Sequence, residues 1–198
     1  MNKMITPYPF EPVPEIELSA RLKKAQSEME EQQIDGLLLT HKPDIYYFTG
    51  TAQDCYLFIP KDRDPILFVK RYLPRVLKET CLKYIEPIQT IRDVPGIIQD
   101  KTGKTFGSVG IAFDVVPVKD YHYYQKLFDP AEFVDGTPLI MSCRQIKSAW
   151  EIEQIKRAAK VSDQTFSFMA DNIAPGISEM EFCGMFESFS RTLSNSGK

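Results

Sequence analysis

Arg144-Gln-Ile-Lys-Ser-Ala-Trp-Glu-Ile-Glu-Gln-Ile-Lys-Arg-Ala-Ala-Lys-Val-Ser-Asp163 carries the clearest local pattern in this chain of 198 residues. Ser148 is a residue type that caps helix N-termini, and Glu151, three positions on, completes a capping box. Ile152, Ile155, Ala159, Ser162 and Phe166 recur at steps of three and four, the spacing of one helix face. Glu151, Glu153, Lys156, Arg157 and Lys160 fill the other face, with the acids toward the N-terminal end, where the helix dipole favours them. The spacing predicts a helix from Ala149 to about Asn172. Pro175-Gly176 breaks it, and Ser178 with Glu181 forms a second capping box for another helix carrying Met180, Cys183, Met185, Phe186 and Phe189.

Working outward toward the N-terminus, the chain alternates helix and strand. Residues 1–17 contain Pro7, Pro9, Pro12 and Pro14 and read as an extended arm. Leu22, Ala25, Met29 and Gln33 place a helix from Ser19 to about Gln33, ended at Gly36. Leu37 to Thr40 is a short buried strand. Lys42-Pro43-Asp44 reads as a turn, followed by Asp44 to Gly50 and a polar segment, Thr51 to Asp54. Cys55–Ile59 and Pro65–Lys70 are strands joined by the polar turn Pro60–Asp64, hence a hairpin. Leu73–Leu82 reads as a helix, Lys83–Glu86 as a weak strand and Val94–Lys101 as a short helix. Gly107–Phe113 is a buried strand, Lys119–Phe128 a helix and Glu132–Asp135 a brief strand, and Leu139–Cys143 leads into the capping box. The pattern predicts an α/β fold with a mixed sheet covered by helices.

Composition narrows the function classes. Lys and Arg total 24 against 27 Asp and Glu, a net charge of −3. No basic stripe of the kind nucleic-acid binders carry is visible. No stretch approaches the ~20 apolar residues of a membrane span. The N-terminus lacks an apolar run of signal-peptide length, so a cytoplasmic location is expected. Cys55, Cys81, Cys143 and Cys183 are scattered without a paired spacing and read as reduced, mostly buried thiols rather than a zinc site or disulfide framework.

Several motifs, in their order and spacing, resemble the creatinase, prolidase and aminopeptidase P family. Residues 144–163 are similar to the start of that family's "pita-bread" catalytic domain. Pro43-Asp-Ile-Tyr-Tyr-Phe-Thr-Gly50 resembles a Tyr-Leu-Thr-Gly-type run of its N-terminal domain. Gly110-Ile-Ala-Phe-Asp114 resembles a later strand, and Ala174-Pro-Gly-Ile-Ser-Glu-Met-Glu181 the link between the first two catalytic-domain helices. The resemblance implies an arm over 1–17, a creatinase-like N-terminal domain with ribonuclease H-like layering over 18–143, and a linker with two helices of an incomplete pita-bread domain over 144–198.

Its functional implications are specific. Family members hydrolyse bonds next to proline, or the carbon–nitrogen bond of creatine. The peptidases use two divalent metals (Mn, Co or Zn) held by two aspartates, a histidine and two glutamates, which activate water between them. By the resemblance those ligands belong to sequence after Lys198, so neither catalytic nor metal residues are assigned here, and no peptidase activity is expected of this chain alone. The N-terminal domain is expected to serve oligomer contact, as a homodimer or higher homo-oligomer, and to restrict peptide substrates at a neighbouring active site. The alternatives are a stand-alone interaction module of the same fold, or the N-terminal part of a creatinase-like hydrolase.

The residue types agree. His41 and His122 each lack a carboxylate pair at metal-ligand spacing. Glu179 and Glu181 lie on different helix sides, and capping accounts for Glu181. No phosphate loop, HExxH pair or nucleophile elbow is present. In some family members the loop after the Tyr-Leu-Thr-Gly-type run reaches a partner's active site. Here Gln53, Asp54 and Tyr56 are the candidates for such contact, the other reading being a solvated loop. The apolar faces of the last two helices are expected to bury themselves by association or by folding back.

Overall fold

The computed structural model describes residues 11–193. Contacts divide them into one unit, Pro12–Ile146, and a second that begins at Lys147 and includes Glu11.

The first unit opens with α1 (Glu15–Glu31), capped by Pro14 rather than starting at Ser19. Proline's fixed φ suits a helix entry, and Glu15 and Glu17 favour the positive end of the dipole. The last three residues of the expected arm are therefore helical, while residues 1–10 lie outside the described part. Leu18, Leu22, Ala25 and Met29 turn inward. The helix ends in a left-handed Gln33 (φ 58°), before Gly36 is reached. Gly36 is needed for another reason, since a Cβ there would sit 2.4 Å from Phe58 Cζ. Only glycine lets that ring pack on the backbone.

Six short strands form one sheet: β1 (Gly36–Leu39), β2 (Cys55–Pro60), β3 (Ile66–Val69), β4 (Tyr84–Pro87), β5 (Ser108–Ile111) and β6 (Glu132–Asp135). Their order is β4-β3-β2-β1-β5-β6. β2 runs antiparallel to β1 and β3, forming the expected hairpin with β3. The β3–β4, β1–β5 and β5–β6 pairs are parallel. Successive strand side chains point to opposite faces, so Leu37 and Leu39 join one core and Leu38 the other. The first core is closed by α1, by α2 (Lys42–Thr49) through Ile45 and Phe48, by α3 (Leu73–Glu79) through Val76, and by α6 (Thr137–Gln145) through Leu139, Ile140 and Cys143. The second is closed by α4 (Val94–Thr102) and α5 (Val118–Leu127), with Ile98 and Tyr124 inward.

Two helices replace segments read otherwise from sequence. Lys42–Asp44 is the first turn of α2, not a separate turn. Pro43 sits where its missing N–H costs nothing, and Gly50 closes the helix in the left-handed region at φ 77°. Leu139–Cys143 lies within α6, which extends to Gln145, so Arg144 belongs to the first unit. α3 stops at Glu79, short of Leu82.

In the second unit α7 spans Ala149–Asn172 and α8 Glu179–Thr192. Both capping boxes form: Glu151 N donates to Ser148 Oγ at 3.1 Å and Ser148 N to Glu151 Oε2 at 2.8 Å. Phe168 and Phe189 stack at 4.0 Å between centroids, and Thr165, Met169 and Ser190 are buried. This is not the face that the apolar spacing favoured. Ile152, Ile155 and Phe166 are exposed, because the contact with α8 falls on the neighbouring stripe of α7.

Among the described residues no helix is long and apolar enough to cross a membrane. Cys55 and Cys143 are buried free thiols, whereas Cys81 and Cys183 are free but exposed, so burial applies to only two of the four.

Candidate functional site

The carboxyl ends of β1, β3 and β5 and the start of the antiparallel β2 meet at one edge of the sheet. There a cleft of about 540 Å³ opens. Its walls come from four separate segments: Thr40–Pro43 after β1, Asp54–Tyr56 entering β2, Lys70 after β3, and Val115 to Tyr124 around the start of α5.

The polar side chains on its flank form a chain. Lys70 Nζ lies 3.2 Å from Asp54 Oδ2. It also sits 5.4 Å from the centre of the Tyr56 ring. Partial burial works against the ammonium, yet bonding to Asp54 and Tyr56 holds its pKa above the usual lysine value. Tyr124 is buried beside Tyr56, and burial above all, with the Tyr56 and Asp120 oxygens adding, pushes its hydroxyl well up. Tyr124 therefore faces the cleft as a neutral hydroxyl at physiological pH. Burial likewise pushes the Cys55 thiol up to about 12, which leaves it inert as a nucleophile.

The loop that delivers Asp54 and Tyr56 is tied down from behind. Thr51 Oγ1 donates to Glu79 Oε2 at 2.6 Å, and Arg75 Nε donates to Glu79 Oε1 at 2.6 Å. Burial opposes the Glu79 charge, but these bonds from Thr51 and Arg75 outweigh it and hold the carboxyl below its usual range. Thr51 N in turn bonds Thr49 Oγ1. Gly50 comes so close that a Cβ there would lie 3.0 Å from the Glu79 carbonyl.

The sequence candidates thus separate. Asp54 and Tyr56 reach the cleft together. Gln53 turns its side chain to Glu79. Lys70, Asp120 and Glu79 were not singled out from sequence, and Tyr124 was read only as an inward-facing residue of the Lys119–Phe128 helix, which its burial bears out. They stand well away from the Asp54 loop along the chain and carry no motif; only the strand pairing brings them in. His41 lies at the cleft but is engaged with Asp44 (3.0 Å), which accepts from Arg144 at 2.7 Å. His122 pairs with Gln125.

Among the described residues no group of three or more His, Cys, Asp or Glu is placed to hold a metal ion. The two-metal centre implied by the family resemblance does not fit the residues present, and no chemical step is assigned through it. The cleft offers hydrogen bonds and charge of both signs, a chemistry of binding.

The family of the Creatinase/Prolidase N-terminal domain matches residues 21–146. A solved Xaa-Pro dipeptidase from Bacillus anthracis is similar at a TM-score of 0.77 and 26% identity, over 88% of this chain and 49% of that one. The Xaa-Pro dipeptidase of Pyrococcus furiosus is 24% identical over 173 residues, 86% of this chain and 47% of its own length. The N-terminal domain of the cytoplasmic peptidase PepQ from Mycobacterium tuberculosis H37Rv shares the fold, with a TM-score of 0.56 at 18% identity over 63% of this chain and 98% of that one. The chain spans about half the length of the curated relatives it matches. The six-stranded mixed sheet, its helical layers and a family match over more than half of the residues agree: this chain belongs to the Creatinase/Prolidase N-terminal domain family.

Proposed function

We propose that this chain is the N-terminal part of a cytoplasmic Xaa-Pro peptidase-type metallohydrolase. In this reading the 12–146 unit serves homo-oligomer contact and restricts which peptides enter a neighbouring active site. The two-metal centre is supplied by residues outside this chain. The observation that supports this best is the similarity to an Xaa-Pro dipeptidase, which covers 88% of the chain and so runs beyond the matched family domain. The ordered loop supports the oligomeric part: Glu79 fixes the segment that presents Asp54 and Tyr56 at the cleft beyond the carboxyl ends of β1, β3 and β5. A loop held this way can meet a peptide without first paying the entropy of ordering. Gln53, already turned to Glu79, acts in this reading by steadying the loop.

The test is to read the coding sequence past Lys198 and assay its product for Xaa-Pro cleavage with Mn, Co or Zn. The expected result is metal-dependent cleavage, none from residues 1–198 alone, and a higher KM in Tyr56→Phe and Asp54→Asn at unchanged metal content. A product with no cleavage, or a continuation lacking the two-Asp, His, two-Glu set, overturns the reading in favour of an interaction module.

A further inference from the structure

α2 begins at the lip of the cleft, and its first residues hold one imidazole by both main chain and ring. The His41 carbonyl accepts from Asp44 N at 3.1 Å and from Ile45 N at 3.0 Å, which starts the helix. The His41 ring turns back onto Asp44, with Nδ1 3.0 Å from Oδ2. The other oxygen, Asp44 Oδ1, accepts at 2.7 Å from Arg144, in the last turn of α6. The Asp44 side chain is only 5% exposed, so protein groups rather than water set its direction. Ile45 and Phe48 anchor the same helix in the first core.

This leaves one ring nitrogen over. Against a carboxylate, Nδ1 carries the proton, and in the neutral ring Nε2 is then an acceptor. The Nδ1 edge lies on the buried carboxylate. The 39% of the His41 side chain that water reaches is therefore the Nε2 edge, and His41 lines the cleft. Among the described residues Nε2 has no hydrogen-bond partner. Asp54, at the same cleft, already accepts from Lys70. His41 thus offers an oriented acceptor for which no internal donor competes.

An acceptor selects a donor. The nitrogen of an Xaa-Pro bond carries no hydrogen, because proline lacks the N–H. In an Xaa-Pro dipeptide the amino terminus is the only backbone donor. We propose that His41 Nε2 accepts a hydrogen bond from the free amino terminus of an Xaa-Pro peptide, with Asp44 and Arg144 as its positioning residues. The choice of peptide rests on the proposed function. His41 then joins Asp54 and Tyr56 at that site as the group that favours an unblocked N-terminus.

Two readouts test it. In the 198-residue chain, long-range proton–nitrogen NMR of the imidazoles above neutral pH should place the His41 proton on Nδ1. Asp44→Asn, and more weakly Arg144→Gln, should release it to a mixture of tautomers. In the product that continues past Lys198, His41→Ala should raise KM for Gly-Pro about tenfold or more, the worth of a hydrogen bond to a charged group, with kcat changed less than twofold. Wild type should prefer Gly-Pro to N-acetyl-Gly-Pro, and His41→Ala should lose most of that preference. His41→Gln, whose amide oxygen can stand near the Nε2 position, should recover part of it. Where Asp44→Asn fails to fold, the two substitutions at the partly exposed His41 carry the test. A His41 proton on Nε2, or on both nitrogens above neutral pH, would overturn the assignment. So would cleavage with KM and the preference for a free amine unmoved in His41→Ala, a result that leaves the peptidase reading standing. No metal-dependent cleavage by the longer product would sink the peptidase reading and the peptide contact with it, whatever the tautomer.

Discussion

Leu38, Phe58 and Phe68 of the sheet unit are fully buried, whereas Ile155, Phe166 and Met180 of the helix pair are 53%, 77% and 82% exposed. The two regions obey the same sequence grammar, with apolar residues at strand or helix period, yet only one closes a core around them. The sheet unit has helices on both faces and satisfies each strand's two sides. The helix pair has one internal seam, Phe168 on Phe189, and a second apolar stripe left to solvent. Periodicity reports that a face is made for burial. It does not report whether the partner surface is in the same unit.

The largest effect that would break this contrast is in the sheet core. Leu38→Ala should cost about 2–5 kcal/mol, the range for a buried leucine cut to alanine, read as a lower unfolding midpoint in urea. A loss under about 0.5 kcal/mol, ordinary for surface sites, would mean that this core is no better closed than the helix pair.

Next is the Glu79 junction. Glu79→Gln should cost about 1–3 kcal/mol at neutral pH, because the buried Thr51 hydroxyl and the exposed Arg75 guanidinium lose a charged acceptor. The sign with pH follows from the lowered folded pKa. Stability from this carboxylate is fully present above the unfolded value of about 4.3 and is lost as pH falls through the folded one. Wild type and variant should therefore converge in acid. Parallel stability curves down to low pH would show that the charge contributes nothing.

The smallest effect is in the second unit. Phe166→Ser with Ile155→Ser should change unfolding stability by less than about 0.5 kcal/mol each, as exposed positions do. Sedimentation should instead show weaker self-association. A large destabilisation with unchanged association would mean that the stripe is already covered within the chain.

Most of the fold was legible where signals are local. Ser148 with Glu151, and Ser178 with Glu181, set the starts of both late helices to the residue, since a cap and its reciprocal acid sit three positions apart. The hairpin was legible because Pro60–Asp64 separates two apolar runs by a polar turn. α2 was missed because Pro43-Asp44 satisfies both a turn and a helix start, and the choice is made by Ile45 and Phe48 finding the sheet. α6 was missed because a five-residue apolar run has no period of its own. Of the site, only Asp54 and Tyr56 were legible, through the loop motif beside them. Lys70 ends the legible hairpin but carries no motif to mark it, and Asp120 and Tyr124 are collected by the β1–β5 pairing, which no single segment encodes.

The sheet's order leaves β4 and β6 as its two open borders, and both are poor templates for another strand. Each has four residues. β4 ends in Pro87, which offers no N–H, and its Glu86 is held by Lys101 at 2.5 Å. β6 begins with Glu132 and ends with Asp135. Short length, proline and charge are the means by which β-proteins avoid stacking edge to edge into insoluble assemblies. At working concentrations the sheet unit is thereby protected from aggregating through its own strands, and any clumping of this chain should be traced to the apolar stripe of its helices.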